Sequence, residues 1–136
     1  MLIDDNEIDL FINEKTIESL KFDNLIKRFN MATDALNYLK LIKDTDINNS
    51  FVPQLILLDI NMPFMDGFDF LEEFDKLQLF KQPPIIIFML SSSLSQAEIN
   101  QAKGNRNVSG FIQKPLTTDK LITQFKLIRQ AENTDT

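Results

Sequence analysis

The feature that most restricts the fold is a series of short, unbroken apolar runs separated by segments with helical spacing. Leu55 to Leu58 and Ile85 to Leu90 are apolar throughout, without the alternation of a strand that has one solvated face. Strands of this kind are typical of parallel sheets that helices cover on both sides. The two runs therefore predict central strands of an α/β protein.

Three further segments complete a series of five strands. Met1 to Ile3 is very short, Asn24 to Phe29 alternates as a half-exposed strand near an edge would, and Val108 to Gln113 is the last. The predicted helices are Glu7–Leu20, Thr33–Ile42, Gly67–Leu77, a helix from Ser95 to Gly104, and one that begins at Thr117 or Thr118. Strands and helices in alternation predict a flavodoxin-like, doubly wound five-stranded parallel sheet, a (βα)5 three-layer sandwich.

The helical segments also predict which side chains face the core and how one helix is capped. The expected core faces are Ile8, Phe11, Ile12, Ile17 and Leu20; Ala35, Leu39 and Ile42; Phe70, Phe74 and Leu77; and Leu121, Phe125 and Ile128. Ser95 and Glu98 have the spacing of a capping box, and Gly104 is placed to end that helix in the left-handed conformation.

Composition excludes several classes of protein. The chain has 136 residues, enough for one domain with a real core. No apolar run approaches the roughly 20 residues that cross a membrane, and no secretory signal is visible, so a cytoplasmic location is expected. The net charge of -6 argues against non-specific nucleic-acid binding. Histidine and cysteine are absent, so chemistry must rely on carboxylates, hydroxyls and lysine.

Charged side chains follow three of the predicted strands. Asp4 and Asp5 follow the first, Asp59 ends the third, and Lys114 comes directly after the fifth. The carboxyl ends of parallel strands form the edge where ligands bind, so these side chains should converge. Carboxylates about 4 Å apart repel by roughly 4 kcal/mol per pair near a protein surface. Such a cluster favours a hard divalent cation and a phosphoryl group as its ligands.

The segment after Asp59 identifies a family resemblance. Asp59-Ile60-Asn61-Met62-Pro63-Phe64-Met65-Asp66-Gly67 has an aspartate, then Met-Pro, then Asp-Gly at fixed spacing. With the acidic pair and the Lys-Pro step, it resembles the receiver domain of two-component response regulators over essentially the whole chain. The resemblance is to the stand-alone, chemotaxis-type receivers.

The resemblance implies a role for each site residue. Asp59 matches the phosphoacceptor and Lys114 the family's site lysine. Ser91, in place of the commoner threonine, matches the switch hydroxyl, and Phe111 matches the switch aromatic. Magnesium is the implied cofactor, and its implied ligands are Asp4, Asp5, Asp59 and the backbone carbonyl of Asn61. The Lys114–Pro115 peptide bond is implied to be cis.

The implied function is a phosphorylation switch and not an enzyme beyond its own phosphorylation and dephosphorylation at Asp59. The phosphoryl donor would be a sensor histidine kinase or a histidine phosphotransfer protein. No DNA-binding domain is expected after residue 130, so output would pass by protein contact to an unknown target. Residues 1–130 are expected to form the receiver domain and residues 131–136 a flexible tail.

Three alternatives share parts of this pattern. A phosphatase of the haloacid dehalogenase type needs a second acid two residues after its nucleophile, where this chain has Asn61. A flavodoxin-like electron carrier needs a phosphate loop after the first strand, where this chain has Asp4 and Asp5. A receiver-like interaction module that is never phosphorylated stays open, although the intact site residues argue against it.

Overall fold

A computed structural model describes residues 1–21, 25–44, 52–79, 84–93 and 95–134 of the chain. Five strands alternate with five helices in these ranges. The elements are β1 (Leu2–Ile3), α1 (Glu7–Ser19), β2 (Arg28–Phe29), α2 (Ala32–Asp44), β3 (Leu55–Asp59), α3 (Gly67–Leu77), β4 (Ile86–Ser91), α4 (Gln96–Lys103), β5 (Gly110–Gln113) and α5 (Thr118–Thr134).

The strands form one parallel sheet in the order β2-β1-β3-β4-β5. The chain moves from β1 outward to β2, then returns to the other side of β1 to continue with β3. This reversal is the point at which doubly wound sheets open a crevice at their carboxyl edge. The register pairs Leu2 with Leu57 and Ile3 with Leu58, so the next residues, Asp4 and Asp59, leave the sheet side by side. The predicted fold class is confirmed.

The central strands are apolar up to their last residues, Asp59 and Ser91, because helices cover both faces of the sheet. Ile56 and Leu58 of β3 pack into one buried cluster that includes residues of α2 and α3. Leu57, which points the other way, belongs to a second cluster with residues of α1 and α5. β4 behaves in the same way, since Ile87 and Met89 join the first cluster and Phe88 and Leu90 the second. Apart from the half-buried first residues Leu55 and Ile86, every position of β3 and β4 is buried, which removes the polar alternation.

The outer strands are shorter than the sequence pattern indicates. Of the segment predicted from Asn24 to Phe29, only Arg28 and Phe29 form β2, while Asn24 lies outside the described residues. The last strand begins at Gly110 and not at Val108, although Ser109 already donates its N–H to the Ile87 carbonyl. Of the loop predicted at residues 44–54, residues 45–51 lie outside the described ranges, and Asp44 is still part of α2.

Helix α1 buries only part of the face predicted for it. Ile17 is buried and Ile12 and Leu20 are half-buried as expected, but Ile8 and Phe11 are 70% and 55% exposed, and the buried Leu10 was not predicted. The irregular apolar spacing of this helix does not define one stripe, so the choice of face was wrong at Ile8 and Phe11. On α3, Phe70, Phe74 and Leu77 are all buried as predicted; the remaining predicted faces are buried or half-buried at Ala35, Leu39, Ile42, Leu121, Phe125 and Ile128.

Two predictions about the caps of α4 need correction. Gly104 ends the helix with φ -79°, a right-handed conformation, and not with the left-handed cap that was expected. The Ser95 side chain accepts the Glu98 N–H at 3.4 Å, which is one half of a capping box. The Glu98 carboxylate makes its hydrogen bonds to Ser91 and Ser93 instead of completing the box.

Helix α5 continues to Thr134 and so includes most of the segment predicted as a flexible tail. Residues 135 and 136 lie outside the described ranges, and the flexibility of residues 131–136 stays a prediction. None of the helices in the described part of the chain is long and apolar enough to cross a membrane. The cytoplasmic location stays a prediction as well.

Candidate phosphorylation site

The acidic pair lies where β1 meets α1. Asp4 is buried, and one of its carboxylate oxygens accepts the Asn6 N–H at 2.9 Å. Asn6 caps α1, and its side-chain oxygen accepts the N–H groups of Ile8 and Asp9 at 2.9 and 3.1 Å. Asp5 is exposed. The turn therefore directs Asp4 into the molecule and leaves Asp5 at the rim of the crevice.

Lys114 joins the ends of three structural elements. Its ammonium nitrogen lies 2.8 Å from an Asp4 oxygen, 3.0 Å from an Asp59 oxygen and 2.9 Å from an Asp9 oxygen. The lysine is held over the crevice because its own N–H donates to the Ser91 carbonyl at 2.8 Å, next to the cis Lys114–Pro115 peptide bond. The structure thus brings Asp4, Asp5, Asp59 and Lys114 together, as the strand-end argument predicts.

The charge of the cluster is only partly balanced. Burial, and then the charge of Asp4, raise the pKa of Asp59 to about 7, although the bond from Lys114 acts in the opposite direction. Burial also raises the pKa of Asp4, against the hydrogen bonds from Lys114 and the Asn6 N–H. Burial alone would lower the pKa of Lys114, but its bonds to Asp4, Asp9 and Asp59 raise it. One fixed ammonium therefore faces more negative charge than it can neutralise.

The donor set fits a hard divalent cation. Carboxylate oxygens of Asp4, Asp5 and Asp59 all lie within 4.8 Å of one another. All three ligands offer oxygen, the donor that magnesium prefers. Burial, and then the charge of Asp4, raise the pKa of Asp59, so a bound cation would also favour the ionised form of this carboxylate.

The other predicted site residues lie around this cluster. Asn61 is exposed in the loop between β3 and α3, two residues after Asp59. Ser91 is fully buried at the end of β4, where its hydroxyl bonds to Glu98 and Ser93. Phe111 is half-buried on β5 and packs against the cluster that contains Met89 and Ala102. The roles assigned to these residues stay predictions.

Two polar residues of the site were missed in the sequence. Asp9 lies in the first turn of α1, and its bond to Lys114 places a fourth carboxylate beside the crevice. Its position one helical turn after the acidic pair was the available signal. Glu98 was interpreted only as a capping residue, and no sequence pattern connects it with Ser91, because that contact depends on how α4 packs over the end of β4.

Comparison with known proteins agrees with the geometry. The sequence matches the family model "Response regulator receiver domain" over residues 1–126. The chain belongs to the response regulator receiver domain family, whose members are phosphoacceptors in two-component signalling. It is therefore a signalling domain and not a classical enzyme.

Individual relatives support this assignment. The crystal structure of a two-component response regulator from Cytophaga hutchinsonii has a TM-score of 0.77 and 27% identity, and the match covers 95% of this chain and 94% of that one. The probable methanogenesis regulatory protein FilR2 of Methanothrix harundinacea is 26% identical over 89% of this chain and 74% of its own length. The sensor histidine kinase CheAY of Helicobacter pylori is 31% identical over 93% of this chain, which spans 14% of that protein.

Proposed function

We propose that Asp59 accepts a phosphoryl group in a magnesium-dependent reaction. The observation that carries this proposal is the half-buried Lys114 ammonium, which lies within 3.0 Å of both Asp4 and Asp59. Asp4, Asp5, Asp59 and the Asn61 backbone carbonyl would hold the ion. Magnesium, when bound, supplies positive charge that offsets the charge developing on a phosphoryl oxygen.

Asp59 is suited to be the nucleophile because it lies at the centre of the cluster. A carboxylate oxygen of Asp59 would attack the phosphorus of a phosphohistidine, forming an O–P bond as the P–N bond breaks, with imidazole as the leaving group. Lys114 would exchange its bond to Asp59 for one to a phosphoryl oxygen, and Ser91 would donate to another. Both groups donate where charge accumulates, which is the main source of catalysis in phosphoryl transfer.

The partners follow from this chemistry. The chain has no histidine, so a phosphohistidine donor must be another protein or domain, either a sensor histidine kinase or a histidine phosphotransfer protein. On phosphorylation, Ser91 would turn toward Asp59 and Phe111 would move into the space beside it, changing the surface of α4, β5 and α5. An unknown target protein would recognise that surface. Beyond its own phosphorylation and dephosphorylation, we propose no enzymatic activity.

The proposal is tested by incubating the protein with magnesium and acetyl phosphate or phosphoramidate. We expect intact-mass spectrometry to show one added phosphate that hydroxylamine removes, as an acyl phosphate requires. The adduct should be absent from Asp59→Asn and present in the control Asp34→Asn, which changes an exposed carboxylate on α2. An adduct that survives in Asp59→Asn, or no adduct with either donor, contradicts the proposal.

A further inference from the structure

The carboxylate of Glu98 binds the hydroxyl groups of two serines at the end of β4. Ser91 donates its hydroxyl proton to one Glu98 oxygen at 3.1 Å, and Ser93 donates to the same oxygen, also at 3.1 Å. The Ser93 N–H in turn donates to the Ser91 hydroxyl oxygen at 3.1 Å. Ser91 is fully buried, so it has little access to solvent as an alternative partner.

Glu98 connects this group to helix α4. It is the third residue of the helix, and its N–H is held by the Ser95 side chain. The first turn of α4 is therefore attached to the end of β4 through the Glu98 carboxylate. Ser91 also lies one residue beyond Leu90, the residue paired with Asp59 across the sheet.

A serine hydroxyl has a single proton to donate. While that proton is bound to Glu98, Ser91 cannot donate to a phosphoryl oxygen on Asp59. The two acceptors are both anionic, so the Glu98 carboxylate is an effective competitor and not a weak one. The Ser91 hydroxyl therefore cannot donate to Glu98 and to a phosphoryl group on Asp59 at the same time.

We propose that Glu98 is a positioning residue that holds the Ser91 hydroxyl away from Asp59 until a phosphoryl group is present. When Ser91 donates its hydrogen bond to the phosphoryl group instead, Glu98 keeps the Ser93 hydroxyl alone, and α4 loses its attachment to the buried end of β4. Occupancy of the site and the position of α4 are thereby coupled through one hydrogen bond. This inference rests on the proposed phosphorylation of Asp59.

The test measures the affinity for beryllium fluoride, a phosphoryl mimic, in the presence of magnesium by isothermal titration calorimetry. Removing the competitor in Glu98→Ala should tighten binding about 10- to 100-fold, the effect of losing one charge-assisted hydrogen bond that opposes binding. Glu98→Gln, which keeps an acceptor but no charge, should give a smaller gain. In a Ser91→Ala background, Glu98→Ala should change the affinity less than about twofold.

The Ser91→Ala background separates positioning from other effects of the same substitution. A general effect of charge or of α4 stability acts equally with and without the Ser91 hydroxyl, so an equal gain in both backgrounds overturns the inference. Glu72→Ala removes an exposed carboxylate from α3 and should leave the affinity unchanged. Thermal melts of each variant verify that the protein is folded.

The remaining outcomes distinguish this inference from the proposed function. If the wild-type protein binds beryllium fluoride and Glu98→Ala binds it no more tightly, the role of Glu98 is refuted while phosphorylation of Asp59 stands. If the wild-type protein does not bind the mimic at any magnesium concentration, the proposed function fails and this inference fails with it.

Discussion

Replacing Asp59 with asparagine should stabilise the metal-free protein at alkaline pH. The substitution keeps the size of the side chain but removes the charge that burial and Asp4 oppose. Because Asp59 has a raised pKa in the folded chain, the folded state binds more protons than the unfolded state between pH 3.8 and about 7. The stability associated with its neutral form is present below that window and is lost as the pH rises through it.

The size of the effect follows from the same pKa. A rise from 3.8 to about 7, at about 1.4 kcal/mol for each unit, gives an upper value of roughly 4 kcal/mol. Asp4 also has a raised pKa, and the repulsion is shared between the two carboxylates. Only part of the shift can therefore be assigned to Asp59 alone. We expect Asp59→Asn to be more stable than the wild type by about 2 to 4 kcal/mol at pH 8 and by almost nothing at pH 4.

Urea denaturation in EDTA at several pH values between 4 and 8 measures this difference. The control Asp34→Asn changes an exposed carboxylate on α2 and should shift the free energy of unfolding by no more than about 0.5 kcal/mol. A variant that is no more stable than the wild type at pH 8 refutes the reasoning. So does a gain of the same size at pH 4, because that gain could not come from the ionisation of Asp59.

Three further predictions concern the same edge of the sheet. Magnesium should raise the free energy of unfolding of the wild type by about 2.7 kcal/mol at 100 times its dissociation constant, which a thermal melt shows as a higher midpoint. Asp5→Asn should require a higher magnesium concentration for the same shift of the midpoint. Lys114→Gln should slow phosphoryl uptake from acetyl phosphate by about 100-fold, measured by intact mass over time, while the exposed Lys103→Gln should react at the wild-type rate. Gly67→Ala should lower the free energy of unfolding in urea by about 1 to 3 kcal/mol, because its Cβ would lie 2.6 Å from the Asp59 carbonyl oxygen. The control is Gly104→Ala, whose Cβ would lie 3.4 Å from its nearest neighbour, the Asn100 carbonyl oxygen. Equal stability of the two variants would contradict the prediction.

The central strands and the site were predictable from the sequence because both depend on short-range patterns. β3 was predicted with its observed bounds, because Leu55 to Leu58 lacks the polar alternation of a half-exposed strand and Asp59 ends the apolar run. Parallel topology then brings Asp4, Asp59 and Lys114 to one edge without further information. The convergence needed only the order of the elements and the rule that their carboxyl ends share an edge.

The errors occur where tertiary contacts decide the result. Ile8 and Phe11 were assigned to the core because they are apolar, yet the orientation of α1 is fixed by the Asn6 cap and by Leu10 and Ile17 beneath it. Gly104 was expected to have a left-handed conformation on propensity alone, but the chain continues from it in the right-handed region.

Glu98 shows why a correct local pattern can still miss a function. Its N–H does bind Ser95, so the capping signal was real, but a carboxylate has further acceptor sites and the nearest donors come from β4. A residue in the first turn of α4 thus also accepts the Ser91 hydroxyl hydrogen bond. A phosphoryl group on Asp59 would meet two unfavourable arrangements of the resting protein: repelling carboxylates around Asp59 and a hydroxyl bound elsewhere. A cation relieves the first at the site itself, whereas relief of the second requires Glu98, and therefore α4, to lose a contact. Loss of the Ser91–Glu98 hydrogen bond is therefore the step by which a phosphoryl group on Asp59 changes the surface that includes α4.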